Sequence, residues 1–316
     1  MLIRFRLPLA VVLGLSLVTV GCGKYSFASL KAKKAFQDAN VMYQQQDYQR
    51  AAEKYEEVLQ ADPGLVTAYF FLGNSYDNLF KPSRVGETEN DSYLQKAIEN
   101  YKLSAEKETD PKMRRLAMEY LVAAYGPDKL NDPAQAEPIV KQMIEMDPNE
   151  PTNYFALAKI YEDSGMYDEA EATLLRAREV RPNEPTVYTT LAGYYNRQGE
   201  FDKTIEALEA RAEKEPDNPE AFHTIATYYW DKAFRDFRLS DAEKKEFVIK
   251  GVDAADRALA LKDDYIDALT YKNLLLRFQA NLEKDPKVQQ ELIRQADELR
   301  EKAIDLQKRK TAGVGN

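Results

Sequence analysis

Apolar and polar residues along the chain recur in a two-helix pattern. In residues 151–184, PTNYFALAKIYEDSGMYDEAEATLLRAREVRPNE, the large residues Tyr154, Leu157 and Tyr161 stand at i, i+3 and i+7. That spacing lays them along one stripe of a helix. Ala158 sits beside the stripe and is small, which suits the close approach of another helix. Gly165 supplies a turn, Ala170 opens the contact face of a second helix, and Pro182 ends the unit. Residues 185–218 repeat the pattern with Tyr188, Leu191, Ala192, Tyr195 and Gly199, and with Thr204 in place of Ala170. Pro148, Pro182 and Pro216 lie 34 residues apart in both steps. One such hairpin cannot bury its own stripe, so hairpins of this kind stack.

The pattern extends both ways from these two units. Residues 32–65 carry Asp47-Tyr48, Ala51, Tyr55 and Pro63, with Ala39 and Met42 on the first helix. Residues 66–111 carry Tyr69, Leu72, Gly73, Tyr76, Ala97, Tyr101 and Pro111, and are lengthened by KPSRVGETENDS at 81–92, which reads as a polar loop between the two helices. Residues 112–148 carry Leu121, Tyr125, Ala136 and Pro148 with a longer turn. Residues 219–263 open with Phe222, Ile225, Ala226 and Tyr229 and are extended over 231–250. A degenerate seventh pair and a charged capping helix occupy 264–310, and residues 311–316 read as a disordered tail.

A different pattern precedes the repeats. Arg4 and Arg6 lead into the apolar run LPLAVVLGLSLVTV. It is too short for a comfortable membrane span, which takes roughly 20 residues. A basic start, a short apolar run and small residues at its end predict a secretory signal peptide over 1–21. Cys22 is the only cysteine, so it has no disulfide partner within the chain. Residues 17–22, LVTVGC, resemble a bacterial lipobox, with Thr19 where that family usually has Leu. The resemblance implies cleavage before Cys22, lipidation of its thiol and a short lipidated linker over 22–30. Two or three acyl chains, at about 0.8 kcal/mol per buried CH₂, anchor a protein stably. The other reading of Cys22 is an ordinary signal peptide cut nearby. Gly23 stands where an Asp would hold such a lipoprotein on the inner membrane, which leans toward the outer membrane facing the periplasm.

The repeat resembles the tetratricopeptide repeat (TPR) over about residues 32–310. The resemblance implies an all-α fold: a right-handed solenoid of about seven helix pairs, with six units over 31–263. It also implies that the first helix of each pair lines a concave groove for a protein or peptide partner. Mapped by helical spacing, that face holds Tyr43, Phe70, Asn74, Asp77, Phe155, Lys159, Glu162, Thr189, Asn196, Arg197, His223, Thr227 and Trp230. Phe70 and Phe155 also read as stacking residues between helices. Trp230 reads either as a binding anchor, since Trp and Tyr are enriched at hot spots, or as packing beneath the 231–250 insertion. The TPR clamp for a chaperone C-terminus needs lysines that are absent here. Asn40 and Asn74 match one of its positions, but Phe36 and Phe70 stand where the first Lys is wanted.

Composition narrows the chemistry. The chain has 44 basic and 53 acidic residues, a net charge of −9, and no basic segment beyond its N-terminus to serve as a nucleic-acid footprint. His223 is the only histidine, which rules out a histidine triad or a multi-histidine metal site. No phosphate-binding glycine motif is present, so neither cofactor nor metal is expected, and the chain reads as non-enzymatic. Asn90-Asp91-Ser92 matches a glycosylation sequon that is common by chance. The expected function is a lipid-anchored interaction scaffold of the bacterial envelope, of the kind that assists outer-membrane or secretion and pilus assembly. The alternatives are an accessory factor recruiting an envelope enzyme such as a cell-wall hydrolase or protease, an envelope enzyme, and a self-associating structural array.

Overall fold

The computed structural model describes residues 27–313. The expected signal peptide (1–21) and the lipidation residue Cys22 lie outside the described residues. The chain divides into two units, one ending at Asp132 and one beginning at Pro133. The first holds α1 (Phe27–Gln44), α2 (Tyr48–Ala61), α3 (Thr67–Leu79), α4 (Thr88–Lys107) and α5 (Pro111–Ala124). The second holds α6 (Pro133–Met146), α7 (Pro151–Asp163), α8 (Tyr167–Val180), α9 (Pro185–Gln198) and α10 (Phe201–Lys214). It continues with α11 (Pro219–Arg235), α12 (Asp241–Leu261), α13 (Ile266–Leu282) and α14 (Pro286–Thr311). No strand occurs among the described residues. The fold is all-α, and within each unit every helix packs on the next along the chain.

The helix ends follow from local chemistry. Pro151, Pro185, Pro219 and Pro286 each open a helix, where the missing N–H costs nothing and the fixed φ is already helical. Asn218 and Asp285 cap two of these ends by accepting from the backbone N–H groups of Glu220 and Lys287. Gly165 and Gly199 take φ of +74° and +78°, a left-handed conformation that other residues enter only with strain.

Packing repeats with the sequence. Ala158, Ala170, Ala177 and Ala192 are buried at the helix crossings. At the matching position in the first unit, a Cβ on Gly73 would lie 2.9 Å from the Tyr101 ring, so α3 and α4 meet too closely for any side chain there. The stripe tyrosines also carry hydrogen bonds. Tyr154 and Tyr188 each donate to the carbonyl of the proline six residues before them, at 2.9 and 2.6 Å. Tyr161 and Tyr195 donate to Glu137 and Glu171 on the preceding second helix, at 3.0 and 2.8 Å. Tyr76 does the same to Glu56. Each phenol thus stays bonded while its ring is largely removed from water.

Several sequence expectations change here. Residues 27–30 are the first turn of α1 and not a linker. Thr311 ends α14, and the rest of the expected tail is a turn at 312–313 or lies outside the described residues. The two insertions are mostly helix. The stretch 81–92 holds a single 3₁₀ turn and then the start of α4. Asn90 clasps it by accepting from the Lys81 N–H at 2.8 Å and donating to the Lys81 carbonyl at 3.1 Å. Asn90 is therefore buried within its own turn. The stretch 231–250 extends α11 to 17 residues and α12 to 21, against 14 for α9 and for α10. Ser240 starts α12 with a capping box shared with Glu243.

Candidate protein-binding faces

In the first unit the predicted face is a closed polar network. The Tyr43 hydroxyl donates to Asn74 Oδ1 at 2.6 Å, and Asn74 Nδ2 donates to the Tyr101 hydroxyl at 3.3 Å. Tyr101 in turn donates to Asp77 at 3.3 Å, and Lys129 closes the chain as the ion partner of Asp77. Burial pushes both phenols above their ordinary range. Phe70 is wedged against Phe71, Tyr101 and Tyr120, with ring centroids 5.3–5.9 Å away. Phe70 and Asn74 are 5% and 4% exposed, so they belong to the core of this unit and offer no open surface. Tyr43 keeps an accessible edge but spends its hydroxyl on Asn74. Phe36 packs edge-on to Phe71.

In the second unit the predicted residues fall on α7, α9 and α11. Lys159 is exposed and paired with Asp163 on its own helix. The Arg197 guanidinium forks onto Glu162 at 2.8 and 2.9 Å, tying α9 to α7. That fork holds the Glu162 carboxyl below its usual range. Asn196 is exposed next to it. Phe155 is half-buried against the core. His223 lies edge-on between Tyr265, the residue that precedes α13, and Tyr271 of α13, both at 5.2 Å. Burial pushes its imidazole below the ordinary histidine range, against the smaller opposing fields of Asp267 and Glu220. The Thr227 hydroxyl turns back onto the Thr224 carbonyl at 2.7 Å.

Trp230 is the most informative of the predicted positions. It stacks on Phe234 at 5.0 Å and meets Phe278 of α13 edge-on at 5.8 Å. Packing and presentation therefore coincide, because Phe234 is 61% exposed. Phe237, in the turn after α11, is 88% exposed. Sequence reasoning missed Phe234, Phe237 and Phe278. The i, i+4 spacing of Trp230 and Phe234 was the available signal, since it puts both rings on one helix face once α11 is known to continue past residue 230.

Residues 37–79 and 129–194 match family models for the tetratricopeptide repeat. Among solved structures, the chain is similar to the C-terminal part of a TPR repeat-containing protein from Cytophaga hutchinsonii. That match has 16% identity over 86% of this chain and 98% of the other, with a TM-score of 0.53. MamA from Desulfovibrio magneticus RS-1 shares 15% identity over 64% of this chain and 97% of its own, with a TM-score of 0.41. YrrB, described as a TPR protein with an unusual peptide-binding site, shares 18% identity over 63% and 97%, also at 0.41. No curated protein matches the chain.

Proposed function

We propose that this chain, which carries tetratricopeptide repeats over residues 37–79 and 129–194, serves as a lipid-anchored interaction scaffold of the bacterial envelope. In this reading Cys22 carries the anchor, the repeats face the periplasm from the outer membrane, and the first-helix face of the second unit holds a protein or peptide partner. The partner is a component of outer-membrane, secretion or pilus assembly. The TPR fold supports the scaffold role. The observation that carries the binding face is the exposed Phe234 ring stacked on the half-buried Trp230 and backed by Phe278. Aromatic side chains presented on a rigid helix bury large areas at little entropic cost.

The test is photo-crosslinking in cells, with the probe placed in turn at Phe155, Asn196 and Trp230 and at an outer position such as Arg176. One envelope protein trapped from the first three sites but not from the fourth supports the reading. A trapped hydrolase or protease would replace assembly by enzyme recruitment. Equal adducts from all four sites would sink the face as a specific surface. The anchor is tested separately by Cys22→Ser, which is expected to release the protein from membranes or leave the precursor uncut. Wild-type maturation and fractionation of this variant would overturn it.

A further inference from the structure

A second surface lies among the second helices of the second unit, away from the predicted first-helix face, and takes one wall from the 231–250 extension. A cleft of about 570 Å³ opens between the second helices α10 and α12. Its floor is aromatic. Phe201 meets Tyr229 at 5.7 Å and Phe247 at 5.3 Å, both edge-on, and Tyr229 stacks on Phe247 at 6.1 Å. The far wall comes from the extension of α12, through Phe247, Ile249 and Lys250. Ile249 is 49% exposed, so the apolar floor continues to the rim.

The rim is acidic. Asp202, Glu206 and Glu209 line the cleft from α10, and Asp253 faces them from α12. The three on α10 follow i, i+4, i+7 spacing, which sets them along one ridge about 10 Å long. None of the four carboxylates forms a salt bridge among the described residues. The basic residues near the cleft have partners other than these four carboxylates: Lys250 pairs with Glu246 at 2.7 Å, Arg257 lies over the Phe222 ring at 4.2 Å, and Lys232 pairs with Asp236 at 2.9 Å while lying over the Phe201 ring at 5.3 Å. Unpaired like charges at i, i+3 and i+4 work against the helix that carries them. A positively charged occupant would turn that repulsion into attraction, while its apolar side chains cover the rings.

We propose that this cleft is a second docking site, and that its occupant is a cationic amphipathic segment of a protein partner. Such a segment has leucine-like side chains on one face and Lys or Arg along its flank. Basic residues spaced i, i+4, i+7 match the acidic ridge of α10, and the apolar face meets Phe201, Tyr229 and Phe247. This site stands apart from the Trp230 face and does not depend on it.

The experiment uses the purified full chain in zwitterionic nanodiscs, with empty nanodiscs as the blank. The probe is an 18-residue designed helical peptide with a leucine face and lysine flanks, compared with a counterpart bearing glutamates. Binding is read by fluorescence anisotropy. The lysine peptide is expected to bind about tenfold more tightly than the glutamate peptide at low salt, and to weaken steeply as salt rises. The combined variant Asp202→Asn, Glu206→Gln, Glu209→Gln and Asp253→Asn should lose about tenfold in affinity while melting no lower than wild type. Trp230→Ala should leave the affinity unchanged. Unaltered binding by the neutralised variant, equal binding of the two peptides, or no binding by either overturns the site. Loss of binding in Trp230→Ala alone would place the peptide on the first-helix face, which overturns this inference and leaves the proposed function standing.

Discussion

At the scale of single residues, His223 gives the clearest expectation. Its folded imidazole resists protonation because it is largely shielded from water between Tyr265 and Tyr271. The unfolded chain takes up that proton near pH 6.5. Between the lowered folded value and about pH 6.5 the unfolded state therefore binds more protons, and stability falls as the pH drops through that window. Urea melts from pH 7.5 to 5 should show this loss, and His223→Phe should flatten it. An unchanged slope in the variant would move the cause elsewhere. The stripe tyrosines make a second case. Tyr195→Phe keeps the ring but removes the donor to Glu171, and is expected to cost about 1 kcal/mol. Gly199→Ala should cost a similar amount, about 1 kcal/mol, from φ alone, because a Cβ there meets open space. Thermal melts compare both with wild type. The core and turn roles were readable from residue type and spacing. The proton balance of His223 was not, because it comes from rings about 45 residues further along the chain.

At the scale of elements, the lengths of α11 and α12 matter most. The S-x-x-E signature at Ser240–Glu243 was present in the sequence and marks a helix start. It divides the 231–250 stretch into the end of one helix and the beginning of the next. Ser240→Ala removes the side-chain half of the capping box and is expected to cost about 1 kcal/mol, measured by denaturant unfolding. It should also loosen the first turn of α12 in hydrogen exchange. Full protection of that turn in the variant would mean that packing alone starts the helix there. Gly251 is fixed in the same way as Gly73. A Cβ on it would lie 2.9 Å from Leu275 and 3.1 Å from Tyr229, so α12 is held close to both α11 and α13. Phe247 reaches the outer cleft from an element locked at that point.

At the scale of the whole molecule, the boundary between Asp132 and Pro133 runs through the third predicted pair. Each unit has a core of its own. The second is built around buried residues including Leu174, Leu191, Leu208, Ile225 and Leu275. A fragment from Pro133 to Gly313 should fold alone and melt in one cooperative transition followed by circular dichroism. A fragment without a transition would show that its core needs the first 132 residues. Leu191→Ala within that fragment is expected to cost about 2–5 kcal/mol, since Leu191 is 1% exposed.

The number of helices, their order and the identity of the small crossing residues were determined by the sequence itself. The alanines beside each aromatic stripe and the glycine turns are local signals that act within one or two helix turns, and the 34-residue period repeats them from pair to pair. Tertiary structure decided what became of the predicted face. Phe70 and Asn74 sit at inner-helix positions as spacing predicts, yet rings from α4 and α5 and the hydroxyls of Tyr43 and Tyr101 close over them. Trp230 stands further along its helix, in register with Asp77, and stays half-buried with the exposed Phe234 beside it, because α11 runs one turn further. The acidic cleft needed tertiary structure entirely. Its two walls are about 45 residues apart in sequence, and helical periodicity says which face a residue occupies but not how far the next helix of the same kind stands from it.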